Sequence, residues 1–106
     1  MRNGYTANNI LDENGNPTGG SVIGVGITIE WQDGPLGRGD DRREPNGAFV
    51  EDVISACVER LDFYQRSKFA CADNIDAIYH LEMALKHLKD RTKDREERNV
   101  EGLHEA

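Results

Sequence analysis

Carboxylates stand three apart at Glu59 and Asp62, and again at Asp73 and Asp76. On a helix that spacing puts both members of a pair on one face. Bundle-type metal centres need Glu-x-x-His or Glu-x-x-Glu pairs on apposed inner faces. Here the acids fall mostly off the apolar positions, so they read as solvated. His80 and His87 also share a face, being seven apart, and a solvated or interface role is expected of them. Neither these nor His104, Cys57 and Cys71 show zinc-ligand spacing. No nucleophile, base and orienting group fall together. The expectation is therefore no catalytic residue, no metal and no cofactor. Gly34-Pro35-Leu36-Gly37-Arg38-Gly39 is glycine-rich but lacks the Gly-Lys-Ser/Thr of a P-loop. Gly24-Val25-Gly26 lacks the third glycine and the following helix of a dinucleotide fingerprint.

What remains is a constellation suited to binding. Tyr64 and Phe69 lie around the end of one expected helix and the turn after it. Asn74 opens the next helix, where backbone N–H groups face outward. Arg91 and Arg95 lie near that helix's far end, four apart on one face. Aromatic rings stack on bases, an asparagine reads a base or ribose, and arginines pair with phosphates. Asn74 and Arg91 are separated by about 25 Å at 1.5 Å per residue. One small ligand cannot touch both ends of the same hairpin, but it could touch both if a second subunit packed against the first. The plainer alternative is that the rings cap a core and the arginines are solvated.

These residues need elements to hold them. Asn46 is a good N-cap, and Pro45 blocks any helix arriving from its N-terminal side. Phe49, Val50, Val53, Ile54, Cys57, Leu61 and Tyr64 then follow helical spacing to about Ser67. After the Lys68–Ala72 turn, a second helix opens at Ala72 or Asp73. Ile75, Ile78, Leu81, Leu85 and Leu88 form its stripe, widened by Met83 and Ala84. Two matching stripes and a short connection predict an antiparallel αα-hairpin over residues 46–98. Beyond Leu88 the stripe stops but helix propensity continues, supported by Asp94 and Arg98 four apart. Residues 99–106 read as a frayed tail.

Upstream, Val22–Trp31 reads as one half-buried strand, with Ile23, Val25, Ile27 and Ile29 alternating with Gly24, Gly26, Thr28 and Glu30. Gly24 and Gly26 leave its other face bare, open to another backbone or a ligand. Residues 21–45 thus make a β region and a connector carrying Arg38, Arg42 and Arg43. Residues 1–20 read as irregular or mobile, although Asn14-Gly15 could also turn a hairpin between Asn9–Asp12 and a later strand. The fold class expected is α+β: a small N-terminal antiparallel β region, then the two-helix hairpin.

At 106 residues the chain suits one thin-cored domain, and oligomerisation is a common way to enlarge such a core. A net charge of −7 argues against DNA or RNA as partner, because that affinity rests on a basic surface. It leaves room for a small anion held by a local cluster: residues 86–98 carry six Lys/Arg against four Asp/Glu. The first residues lack a secretory apolar core, so Cys57 and Cys71 are expected as reduced thiols in a cytoplasm. No apolar run approaches a membrane span.

Three stretches carry a resemblance. They are Glu30-Trp31-Gln32-Asp33-Gly34-Pro35-Leu36-Gly37, Glu44-Pro45-Asn46-Gly47-Ala48-Phe49-Val50-Glu51-Asp52-Val53-Ile54, and Lys68-Phe69-Ala70-Cys71 with Asn74. Over roughly residues 22–102 the chain resembles the first type of phage Thoeris anti-defence sponge, related through its helical hairpin to the anti-CBASS sponge. The resemblance implies a non-enzymatic phage protein working in the host bacterial cytoplasm. Such a protein binds cyclic ADP-ribose isomers, and in some members cyclic oligonucleotides, and releases them intact. It implies a homo-oligomer, dimer to hexamer, with ligand between subunits. It implies as ligand contacts an aromatic ring at Tyr64, with Phe69 as its rival, Asn74, Arg91, and one arginine of the β region among Arg38, Arg42 and Arg43. Against it stands an acidic hairpin that inhibits a host protein through its negative face.

Overall fold

The computed structural model describes residues 4–104. Contacts divide it into two units: residues before Val50 together with those after Arg98, and Val50–Arg98. The layout is α+β, with three antiparallel strands preceding two helices.

The first unit is built on a meander, β1 (Tyr5–Leu11), β2 (Pro17–Gly24) and β3 (Ile27–Glu30), in the spatial order β1-β2-β3. Residues 1–20, expected to be irregular, therefore hold β1 and the first half of β2. The Asn14-Gly15 turn is the reason. The Asp12 carboxylate accepts the N–H groups of Asn14 (2.8 Å) and Asn16 (2.9 Å) and the Asn16 side-chain amide (3.2 Å). These bonds, led by that from the Asn16 backbone, hold the Asp12 carboxyl below its ordinary range. Gly15 supplies the positive φ of 79° that the turn needs.

The single strand expected over Val22–Trp31 is instead a hairpin. Gly24 pairs with Ile27, so Val25 and Gly26 are its two-residue turn, with Gly26 at φ 83°. The chain reversal changes the faces. Val22 lies opposite Ile29, while Ile23 lies opposite Thr28 and is 55% exposed. Gly24 does admit another backbone: a Cβ there would meet Tyr5 Cα at 2.9 Å, because β1 runs alongside.

The strand region continues as a loop clasp. The expected N-cap, Asn46, does not start the helix. Its Oδ1 accepts the Asp33 N–H (2.9 Å), its Nδ2 donates to the Asp33 carbonyl (3.0 Å), and Gln32 Oε1 accepts the Asn46 N–H (2.8 Å). Ala48 then bridges Trp31 in parallel. Gly47 is required here because a Cβ would press on the Trp31 backbone at 2.6 Å. Asn46 and Ala48 are therefore tied to the segment around Gln32, and the helix begins four residues later than expected, at Val50.

The second unit is the hairpin, α1 (Val50–Gln65) and α2 (Ala72–Glu97). A half-buried row on α1 runs Glu51, Ile54, Val58, Leu61 and Gln65, with Val53 beside it, and one on α2 runs Asn74, Ile78, Leu81, Leu85 and Leu88, with Ala77 and Ala84 beside it and Thr92 and Arg95 beyond it. Both rows step by alternating threes and fours, the seam of an antiparallel pair packed side by side. Val50, Cys57 and Tyr64, expected on the apolar stripe, are exposed along a line beside that seam. No described residue of either unit is fully buried. The last turns of α2 carry i,i+4 ion pairs, Lys86–Asp90 at 3.0 Å and Asp94–Arg98 at 3.1 Å, as suits a solvated stretch.

Candidate ligand-binding site

The turn between the helices gathers three of the expected residues. α1 ends as the Ser67 hydroxyl donates to the Tyr64 carbonyl (2.6 Å) and Gln65 Oε1 accepts the Cys71 N–H (2.9 Å). The same Gln65 oxygen accepts Asn74 Nδ2 (2.9 Å), which also donates to the Phe69 carbonyl (3.2 Å). Asn74 therefore ties α1, the turn and α2 together. Phe69, fixed through its main chain, stands 68% exposed.

Beside it lies an aromatic and cationic patch. The Arg60 guanidinium sits 4.9 Å from the Phe63 ring centre and 5.0 Å from that of Tyr64, and its Nε donates to the Tyr64 hydroxyl (3.2 Å). Lys68 Nζ lies 5.4 Å from the Phe69 ring centre. Flat rings with cations over them offer stacking surface and positive charge together, the pair of features a nucleotide uses. Arg60, Phe63 and Lys68 were not among the residues expected from sequence. The signal was present: Arg60 stands three and four residues before the two rings, the helical neighbour spacing.

Arg91 is exposed on α2, 17 residues after Asn74, so about 25 Å along the axis separates them. The hairpin does not bring Arg91 to the aromatic patch.

Arg38, Arg42 and Arg43 lie in the first unit, on a loop with a 3-10 turn at Gly39–Asp41. Each has a partner there. Arg42 forks onto Glu101 (Nη1–Oε2 2.9 Å, Nη2–Oε1 3.1 Å), Arg38 Nη1 donates to the Glu101 carbonyl (3.1 Å), and Arg43 Nη2 donates to the Pro35 carbonyl (3.0 Å). The Gly37 N–H also donates to the Gly102 carbonyl (2.8 Å). The tail that reads as frayed is thus pinned at Glu101 and Gly102 by contacts that sequence periodicity cannot show.

One cavity of about 390 Å³ opens on the polar face of the sheet, lined by residues including Asn8, Ser21, Glu30, Trp31 and Asp33. It holds none of the expected site residues. Its lining has two carboxylates and no cationic side chain, which suits it poorly to a phosphate. Among the described residues no group of three or more His, Cys, Asp or Glu could hold a metal ion, and no helix is long and apolar enough to cross a membrane.

No family model matches the chain. A curated relative does: Thoeris anti-defense 1 of Bacillus phage SBSphiJ7 is 42% identical over 78 residues, covering 74% of this chain and 52% of the relative. The chain spans about half the length of that relative. Identity at this level over about three quarters of the chain places it in the Thoeris anti-defence 1 family of phage proteins.

Proposed function

We propose that this protein counters Thoeris defence by sequestering the cyclic nucleotide signal without degrading it, in the cytoplasm of the infected host. The ligand class is a cyclic ADP-ribose isomer, with cyclic di- and trinucleotides of CBASS as further candidates. The bases stack at the hairpin turn on Tyr64 or Phe69, beside Asn74. The phosphates pair with Arg91 and with an arginine of the Arg38, Arg42 and Arg43 loop.

The observation that carries this reading is the split arrangement of the hairpin. Its aromatic patch and Arg91 stand about 25 Å apart on one α2, beyond the reach of one small ligand. A second copy supplies the missing half. The exposed faces support that assembly: Ile75, Tyr79 and Met83 recur every four residues on α2 and are 59%, 59% and 36% exposed. Apolar burial contributes about 25 cal/mol per Å², and a chain with no fully buried described residue gains much from a partner. The assembly proposed is a homo-oligomer, dimer to hexamer, with ligand between subunits. Binding alone accounts for the site; no step of bond cleavage is assigned to any residue.

Isothermal titration with a panel of cyclic ADP-ribose isomers and cyclic di- and trinucleotides tests this. Tight binding of at least one, with ligand recovered chemically unchanged after the protein is denatured, is the expected result. Heat from none of them, with a host protein captured instead, would establish the alternative of an acidic interaction module. Metal-dependent turnover lost on substituting Glu59 or Asp62 would establish an enzyme.

A further inference from the structure

The Arg38–Arg43 loop already holds an anion, and the chain itself supplies it. The Glu101 carboxylate accepts from both terminal nitrogens of Arg42, at 2.9 and 3.1 Å. Arg38 Nη1 reaches the Glu101 carbonyl at 3.1 Å. The backbone of the next residue is held by the Gly37 N–H at 2.8 Å. Gly102 has φ 80°, and a methyl there would run into the Gly37 carbonyl and stand 3.1 Å from Arg42 Nη1. The segment is thus seated by charge, by main-chain bonding and by a glycine that both its positive φ and this close approach favour. A fork of this geometry fits the paired oxygens of a carboxylate or of a phosphate alike.

We infer that Glu101 is a built-in competitor for this arginine loop, and that a phosphate-bearing ligand engages Arg42 and Arg38 by displacing the Glu101 segment. The inference rests on the sequestration reading for the natural ligand, but the competition itself needs only phosphate chemistry. The latch is releasable. The ion pair is partly open to solvent, with side-chain exposures of 42% for Arg42 and 24% for Glu101, and exposed pairs hold weakly. A pyrophosphate group brings more charge and more acceptor oxygens than one carboxylate. Because the competitor is tethered, it lowers apparent affinity by the fraction of molecules in which the loop is open. In a sponge this favours tight, multiply charged signals over stray monoanions.

The test uses two variants that free the loop by different means. Glu101→Gln keeps the shape and removes the charge; Gly102→Ala keeps the charge and removes the seat. Titration compares inorganic pyrophosphate and a cyclic ADP-ribose isomer on the unmodified protein and on both variants. Both variants should bind pyrophosphate roughly threefold to tenfold more tightly. In the unmodified protein the Gly102 amide resonance should move on pyrophosphate addition toward its position in Glu101→Gln. Equal or weaker pyrophosphate binding by the variants would overturn the latch. The readings separate cleanly. If the isomer binds but pyrophosphate binds all three proteins alike, the latch fails and sequestration stands. If no isomer binds but pyrophosphate follows the expected pattern, sequestration fails and the latch stands.

Discussion

The side-chain amide of Asn74 donates both its hydrogens inside the hairpin, to Gln65 Oε1 and to the Phe69 carbonyl. Only its oxygen remains to face a ligand. Arg91 differs, being exposed on a helix surface where its removal disturbs no packing. Single substitutions should therefore separate the two roles. Arg91→Ala should weaken ligand binding by about 1.5–3 kcal/mol, as for a lost charge-assisted hydrogen bond, while leaving the melting temperature unchanged. Tyr64→Ala should cost about 1–3 kcal/mol of binding if its ring stacks on a base. It also releases Arg60 from the ring it covers. Unchanged affinity in both variants, measured by titration, would reject this placement of the site. Arg42 illustrates a different limit. Sequence shows three arginines among acids, but only the fold shows that Glu101, 59 residues away, occupies one of them.

At the scale of elements, one atom accepts two of the hydrogen bonds that hold the turn between α1 and α2. Gln65 Oε1 accepts both the Cys71 N–H and Asn74 Nδ2. Gln65→Ala should lower stability by about 1–2 kcal/mol in a denaturant melt, and it should loosen Phe69 along with the turn. The helices themselves were legible, because a 3.6-residue period extends over four or more turns and little else produces it. α2 begins at Ala72 as its pattern indicates. The start of α1 was not legible. Asn46 carries every local mark of an N-cap, yet long-range pairing with Gln32 and Asp33 takes its donors and acceptors. Nor was the β2–β3 hairpin. Apolar alternation runs unbroken from Ile23 to Ile29, and a two-residue turn inside it leaves the pattern looking like one strand. Gly26 was the one cue, and its positive φ shows the use it serves. Of the rings in the patch, Tyr64 and Phe69 stand out in the sequence and Phe63 does not; Arg60 does not either, since its meaning depends on the rings three and four residues on.

At the scale of the molecule, a 106-residue chain in which no described residue is fully buried leaves much of its apolar surface without a partner. Within the hairpin alone, Val50, Phe63, Phe69, Ile75 and Tyr79 are each about half exposed or more. A hairpin of two helices is a weak core by itself; in the proposed assembly, stacking a second copy on these faces would both stabilise it and bring a distant arginine toward an aromatic patch. In that proposal assembly and ligand binding would be coupled: a ligand between subunits would favour the oligomer, and melting temperature should rise with ligand concentration. The most direct test of shared-site sequestration is native mass spectrometry of the protein with a cyclic ADP-ribose isomer. The expected result is an oligomer carrying ligand of unaltered mass, with ligand lost from the Arg91→Ala variant. A monomer that binds the isomer alone, or a bound species whose mass shows the isomer cleaved, would contradict it.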